Sequence, residues 1–204
     1  RVKKNKSKKI KGIVVALKSN FLIVEIDYQD FNKELIDQFY EKSRLLCTRR
    51  SKLAYRGLFI DVGDIVFVES IDYKNKRAVI SEVEQRKSFV KRPAVANVTL
   101  ISICISVDEP LFDIEQVSRF LLTAECANLK PLIILTKIDL ITNNDLSLYI
   151  NKFKSWGYDC MPVSIKNAQG IDSLIERFRK TKLTVLAGPS GVGKTSLMNH
   201  LIPT

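Results

Sequence analysis

The stretch LTVLAGPSGVGKTSL, residues 183–197, decides how the rest of the chain is read. Its first five residues, Leu183 to Ala187, form an apolar run of strand type, and the run after Lys194 is helical in pattern through Leu201. Between them Gly188, Pro189, Ser190, Gly191, Val192, Gly193, Lys194 and Thr195 satisfy GxxxxGK[ST], with Ser196 following. Glycines let such a backbone curl until successive N–H groups share one concavity, and the following helix aims its positive end at the same place. A nucleotide's α- and β-phosphates fit that cradle. Lys194 is placed to reach β/γ oxygens, and Thr195 to offer its hydroxyl to Mg²⁺.

Upstream the same rhythm repeats. Val98 to Val107 is a near-continuous apolar strand, and Ile114, Val117, Leu121 and Ala124 then recur at helical spacing. Strands at Leu132 to Leu135 and Asp159 to Val163 alternate with helices marked by Leu146, Ile150 and Phe153, and by Ile171, Leu174, Ile175 and Phe178. Alternation of this kind predicts a parallel sheet with right-handed crossovers and helices on both faces. Ligands of such sheets bind beyond the carboxyl ends of the strands.

Two further motifs stand at strand ends. Thr136-Lys137-Ile138-Asp139 follows Leu132 to Leu135, and Ser164-Ile165-Lys166 follows Asp159 to Val163. A carboxylate at position 139 accepts two parallel hydrogen bonds from guanine N1–H and N2–H₂, which adenine cannot supply. Lys137 is placed to lay its stem along the base and Thr136 to tie this loop to the phosphate loop, as in the [NT]KxD element of GTPases. The tripeptide is similar to their SAK loop, whose backbone N–H meets guanine O6, with Ile165 in place of the usual Ala. An Asp after a strand is equally what a helix N-cap presents, so the tetrapeptide alone leaves both readings open.

Composition narrows the class. The 204 residues are 46% apolar and 27% charged, with mean hydropathy near zero, the balance of a globular chain with a core. No apolar run approaches the roughly 18 residues of a membrane helix. Cysteines at 47, 104, 126 and 160 form no CxxC pair, which argues for single buried thiols in a reducing, cytoplasmic compartment rather than zinc or disulfide chemistry.

Charge is uneven. Residues 1–92 hold 22 Lys and Arg against 12 Asp and Glu, whereas residues 93–204 hold 11 against 10. A field of that kind favours a polyanion, with RNA the natural candidate. Residues 1–9 read as a basic tail. Residues 10–92 read as short strands at Ile10 to Leu17, Phe21 to Ile26, Gly57 to Ile60, Ile65 to Ile71 and Arg77 to Val83, which predicts a small all-β barrel of OB type. Arg44, Arg49, Arg50, Lys52 and Arg56 surround Tyr55 in a predicted contact loop, Leu45 to Arg56, with cations for phosphates and a ring for a base, and an exposed solubilising loop accounts for the same charges.

The base motifs at 136 and 164 precede the phosphate motif at 188, so the usual GTPase order is circularly permuted. With the basic barrel in front, the chain resembles the RsgA/YjeQ family of small-ribosomal-subunit-dependent GTPases. The carrying residues are CTRRSKLA at 47–54, Val62-Gly63-Asp64, the connector Glu84 to Pro93, Ala96-Asn97-Val98, TKID, SIK and GPSGVGKTSL at 188–197. The resemblance implies a barrel of residues 10–92 followed by a permuted α/β GTPase domain from 93 to 204, incomplete at its C-terminus. It further implies GTP or GDP with Mg²⁺, binding to 16S-type rRNA and the small subunit, and a monomer away from membranes. The family's switch segments, a DxxG element and a Cys/His zinc domain have no counterpart in these residues. No catalytic residue is therefore assignable, Zn²⁺ is expected only in that further domain, and hydrolysis by these residues alone is expected to be very slow. The strand at 183–187 is expected to lie on an exposed sheet edge. Two alternatives remain open here: an RNA-binding protein with a vestigial nucleotide site, and a nucleotide kinase of the guanylate-kinase kind, although in the latter the phosphate loop comes early.

Overall fold

The computed structural model describes residues 9–26, 43–55, 57, 59–110 and 112–202. The basic tail, Lys9 apart, lies outside them, as does Arg56. The chain divides into two compact units, residues 1–97 and 98–204.

In the first unit β1 (Ile10–Lys18), β2 (Phe21–Ile26), β3 (Ser43–Arg49), the short helix α1 (Ser51–Tyr55), β4 (Ile65–Asp72) and β5 (Arg77–Val83) follow in turn. The strands close in the order β1-β2-β3-β5-β4. β3 and β5 are parallel while the other neighbours are antiparallel. That is the OB arrangement, as expected. Alternate residues such as Ile10, Val14, Val24, Ile26, Leu45, Cys47, Val66, Val68 and Ile80 fill the interior, and Leu53 of α1 joins them.

The structure corrects one strand. Gly57 to Ile60 is not a strand among the described residues; Phe59 is 82% exposed while Ile60 enters the core. The third barrel strand is β3, the first part of the expected contact loop. Leu45 and Cys47 point inward while Arg44, Thr48 and Arg49 are exposed, so the outward cations of an alternating strand imitate loop charge. A four-residue apolar run cannot compete, because a strand is fixed by pairing partners on both sides and not by apolarity.

The segment expected as a connector is a built structure. β6 (Phe89–Lys91) and β7 (Ala94–Ala96) form a hairpin, and the Ala96 amide donates to the Val62 carbonyl at 2.8 Å. Arg86 holds the region together. Its guanidinium donates to both carboxylate oxygens of fully buried Asp64 at 2.8 and 2.7 Å, to Asp61 at 2.8 Å and to the Phe59 carbonyl at 2.9 Å. It also lies 4.4 Å above the Phe89 ring. Asn97, at φ 54°, donates to the Gly63 carbonyl and accepts from the Lys87 amide. Val62-Gly63-Asp64 and Ala96-Asn97 thus belong to one polar clamp.

In the second unit the elements are β8 (Leu100–Ser106), α2 (Ile114–Cys126), β9 (Leu132–Thr136), α3 (Asn143–Ser155), β10 (Asp159–Pro162), α4 (Ile171–Arg179), β11 (Thr184–Ala187) and α5 (Lys194–Leu201). All four strands are parallel, in the order β10-β9-β8-β11. Leu100, Cys104, Leu132 and Ile134 pack with Ile171, Leu174 and Leu197 of α4 and α5. Ile101, Ile103, Ile133 and Leu135 alternate to the other face, where α2 and α3 bury Val117, Leu121, Ala124 and Phe153. Ile114, expected on the buried stripe, is 48% exposed, because it opens α2 and the first turn lies above the sheet's rim. β11, like β10, is an edge strand among the described residues, with Val185 only 7% exposed. No helix of the described residues is long and apolar enough to cross a membrane.

The Arg86 clamp makes a stability prediction. Arg86→Ala strands a fully buried carboxylate at Asp64, and breaking such a pair typically costs about 3–5 kcal/mol. Urea unfolding of the barrel should show a loss of that size, and a variant within about 0.5 kcal/mol of the parent would refute the clamp's role.

Candidate nucleotide site

Three loops leave the carboxyl ends of β9, β10 and β11, and each carries one of the motifs. Gly188 is where the phosphate loop departs. With φ 136°, a Cβ there would sit 2.3 Å from the Cys104 carbonyl oxygen, so only glycine lets the loop lie against β8. At the loop's far end Gly193 takes φ 91° and precedes the first turn of α5. Lys194 folds its ammonium back over the loop, donating to the carbonyls of Gly188 at 2.9 Å and Pro189 at 2.5 Å. The cation thus occupies the loop's own curve. Pro189 and Val192 form its wall, with Val192 buried, while Ser190, Gly191, Thr195 and Ser196 are exposed.

Thr136 is the hidden joint. Its side chain is buried, and its hydroxyl lies 2.7 Å from the Val192 carbonyl and 3.3 Å from the Ile105 carbonyl. The nearer bond ties the base loop to the phosphate loop. Lys137, at φ 61°, sends its ammonium to the Glu109 carbonyl at 2.5 Å. Ile138 is buried beneath, in a short 3₁₀ turn with Asp139 and Leu140.

Asp139 faces Ser164. The Ser164 hydroxyl donates to an Asp139 carboxylate oxygen at 2.5 Å, and this bond, with the nearby Lys166 charge adding less, holds the carboxyl below its ordinary range. Ser164 is fully buried and also accepts from the Asn167 amide at 3.2 Å. Its own amide donates to the Gln169 carbonyl at 3.0 Å, closing the loop. Ile165 tucks into the core beside α4 and Lys166 stays exposed; the bulk that replaces Ala is absorbed by packing.

The N-cap alternative for Asp139 is answered by the next helix. α3 is capped by Thr142, whose hydroxyl oxygen accepts from the Asp145 amide at 3.3 Å. Asp139 caps no α-helix among the described residues. One bond from a serine hydroxyl leaves a carboxylate ample capacity to accept from a base.

The motifs leave out the turn after β8. Val107 to Pro110 receives the Lys137 ammonium, and Pro110 Cδ lies 3.6 Å from where a Gly191 side chain would begin. The strand-end rule that finds the other loops applies here too, but the turn carries no known motif. In the barrel, Arg49 and Lys52 are exposed and Tyr55 is 95% exposed, whereas Arg50 is committed to a salt bridge with nearly buried Glu69. Arg44 reaches Glu25 at 3.4 Å. Arg49 lines a cavity of about 570 Å³ with Leu17, Lys18, Phe21 and Ile60. Among the described residues no three His, Cys, Asp or Glu side chains gather as a metal site.

A closed OB barrel, followed by a parallel sheet whose phosphate loop comes last and behind both base motifs, defines a circularly permuted GTPase fold. A protein-family model described as RsgA GTPase matches residues 83–204, and the chain belongs to that family. Of its curated relatives, the small ribosomal subunit biogenesis GTPase RsgA of Prochlorococcus marinus (strain NATL2A) is 83% identical over 201 residues, covering 98% of this chain and 64% of that protein. The same-named protein of Synechococcus sp. (strain CC9605) is 46% identical over 192 residues, covering 94% and 60%. Crystal structures agree. YjeQ from Thermotoga maritima matches with a TM-score of 0.79 at 31% identity, covering 96% of this chain and 66% of that one. YloQ, a circularly permuted GTPase, matches with a TM-score of 0.75 at 27% identity, covering 96% and 65%. The chain thus spans 64% of the length of the first of these relatives.

The lowered pKa of Asp139 sets a pH dependence. A carboxyl held below its usual range stays ionised as pH falls, so guanine-nucleotide affinity should remain flat through the ordinary carboxylate range and drop only beneath it. Ser164→Ala removes the largest stabilising contact, so the drop should begin at higher pH; identical profiles for both proteins would count against this pairing.

Proposed function

We propose that the chain is the barrel and nucleotide-binding portion of a GTP-hydrolysing factor that acts in the cytoplasm on the maturing small ribosomal subunit. The observation carrying the reading is the pair of side-chain bonds, Thr136 to Val192 and Ser164 to Asp139, that link the two base motifs and the phosphate motif. Asp139 reads guanine through N1–H and N2–H₂, Lys137 flanks the base, and the loop at 164–166 borders O6. The residues from Gly188 to Ser196 hold the phosphates. The donor set fits the expected Mg²⁺ as far as it goes: Thr195 presents an exposed hydroxyl at the start of α5, a hard oxygen of the kind Mg²⁺ accepts beside phosphate and water. When bound, the ion would neutralise charge on the β- and γ-oxygens.

What these residues do is bind and orient. Lys194 trades two carbonyl contacts for phosphate oxygens, and Thr136 fixes the distance between base and phosphate loops. These residues include no candidate for positioning the attacking water, so hydrolysis by them alone should be very slow, and we read the working factor as a monomer. The partner reading rests on family membership and on the barrel. Arg49, Lys52 and Tyr55, beside the Phe21-lined cavity, suit rRNA of the 16S type, with cations on phosphates and rings on unpaired bases.

Two outcomes test this. Asp139→Asn should weaken GDP binding by about two to three orders of magnitude, since two charge-assisted bonds are lost, and should favour a xanthine nucleotide, whose C2 carbonyl accepts where guanine N2 donates. Competition with ATP should be negligible in the parent chain, and equal competition would remove Asp139 from base recognition. On the barrel, replacing Arg49 and Lys52 with Gln should lessen the slope of log affinity for RNA against log salt by about 1.5, near 0.7–0.9 per lost phosphate contact. An unaltered slope would return these residues to a merely solvated face.

A further inference from the structure

The second unit is almost neutral by composition, but the fold sorts its charges to opposite ends. Asp108, Glu109, Asp113, Glu115, Asp139, Asp145 and Asp172 all lie in strand-end loops or first helical turns at the nucleotide end, where Lys137, Lys166 and Lys194 are the cations. Lys130, Lys154, Arg177, Arg179, Lys180 and Lys182 lie at the other end, in last helical turns and in the loops that feed β9 and β11. Glu125, Asp159 and Glu176 are the carboxylates there, and two of them face arginines: Arg177 to Asp159 at 3.9 Å and Arg179 to Glu176 at 2.6 Å. Among the described residues no ion pair engages Lys130, Lys154, Lys180 or Lys182, and all four are exposed.

Helix ends account for part of this pattern and not for the rest. The C-terminal ends of α2, α3 and α4 each carry about half a negative charge, which favours Lys154, Arg177 and Arg179 in the last turns. Lys180 is the C-cap of α4 and shares that effect, whereas Lys130 and Lys182 stand beyond the helices, in loops where it has decayed. Those loops are pinned. The Thr99 hydroxyl oxygen accepts from the amides of Lys182 at 3.1 Å and Leu183 at 3.0 Å, and the Leu129 amide donates to the Ala124 carbonyl at 3.0 Å. Since β9 and β11 flank β8, Lys130 and Lys182 stand two strand spacings apart, about 10 Å. Continuing the register of Asp159 with Leu132 backwards sets Gly157 level with Lys130. Trp156, 37% exposed, is next to it.

We propose that this pole, with Lys130 and Lys154 on the Trp156 side and Lys180 and Lys182 toward the β11 edge, is a second RNA-binding surface that grips the phosphate backbone independently of the barrel. The proposal rests on the reading of the chain as an RNA-binding protein. Pinned loops matter because the backbone that carries these lysines is already ordered in the free protein, so only side-chain freedom is lost when phosphates arrive. The surface carries no base-reading pattern, so it positions RNA without selecting sequence. Trp156 is partially exposed, with the Lys152 ammonium 5.5 Å from its ring centroid, so an arriving base would stack on the indole by displacing that cation toward phosphate.

Trp156 is the only tryptophan in the chain, which gives the pole its own signal. The test uses the full chain, a GC-rich RNA hairpin and poly(U), with intrinsic fluorescence and salt-dependent affinity measured together. RNA should change Trp156 emission, and the variant K130Q/K154Q/K180Q/K182Q should lose that change. Its log–log salt slope should be less steep by about 3, at 0.7–0.9 per contact. Because all four side chains are exposed, its melting temperature should match the parent's, and K180E/K182E should repeat the effect if the quadruple variant folds poorly. A lessened slope here with an unaltered slope in the Arg49/Lys52 variant would support the pole and reject the barrel site. The reverse, with unchanged Trp156 emission, would overturn the pole and leave the barrel reading standing. A parent chain whose affinity is indifferent to salt would overturn both, and binding of an acidic polypeptide instead of RNA would likewise overturn the proposal.

Discussion

The hydroxyl of Thr136 sits out of solvent beneath the phosphate loop, 2.7 Å from the carbonyl of Val192. β9 and β11 are not neighbours, because β8 runs between them. No main-chain ladder therefore connects the loop that would read the base to the loop that would hold the phosphates. A single buried side chain spans the gap, and in a water-poor setting leaving that carbonyl unmet would be costly. Ser164 repeats the device one strand further out, joining the loop after β10 to Asp139. The loops that carry the three motifs are thus one mechanical object, joined by two hydroxyls.

The rest of the second unit serves that object. The β8 strand is buried at every position from Leu100 to Ser106, and its carbonyl at Cys104 lies where any side chain on residue 188 would have to go. Burial pushes the Cys104 thiol up to about 12, so it is an uncharged packing group under the phosphate loop and no competitor for cations. The first unit relies on the opposite kind of contact. Its clamp is ionic: Arg86 satisfies two carboxylates and one carbonyl at once, and a hairpin that reads as linker in the sequence is fixed to the barrel by it.

Charge shows why composition misleads when summed over a domain. The basic half is plain in the residue counts, but within it Arg50 is engaged with Glu69 and Arg44 with Glu25. In the near-neutral half, parallel topology sends every helix N-terminus to one end and every C-terminus to the other. Acidic first turns and basic last turns then accumulate on opposite poles. A net near zero conceals two surfaces of opposite sign.

The sequence by itself determined what depends on spacing along the chain. GxxxxGKT, TKID and SIK each follow an apolar run, and apolar runs alternating with helical stripes leave little choice but a parallel sheet, so the strand-end placement of the three motifs and their permuted order were legible. Barrel topology was legible in kind, but outward cations hide the alternation of β3, and Gly57 to Ile60 imitates a strand because apolarity is not pairing. Only tertiary structure decided who bonds to whom across strands. Whether Asp139 caps a helix or faces a ligand hangs on Thr142 taking the cap, and the union of Thr136 with Val192, 56 residues apart, exists because a sheet folds distant turns to one edge, a fact that local periodicity does not contain.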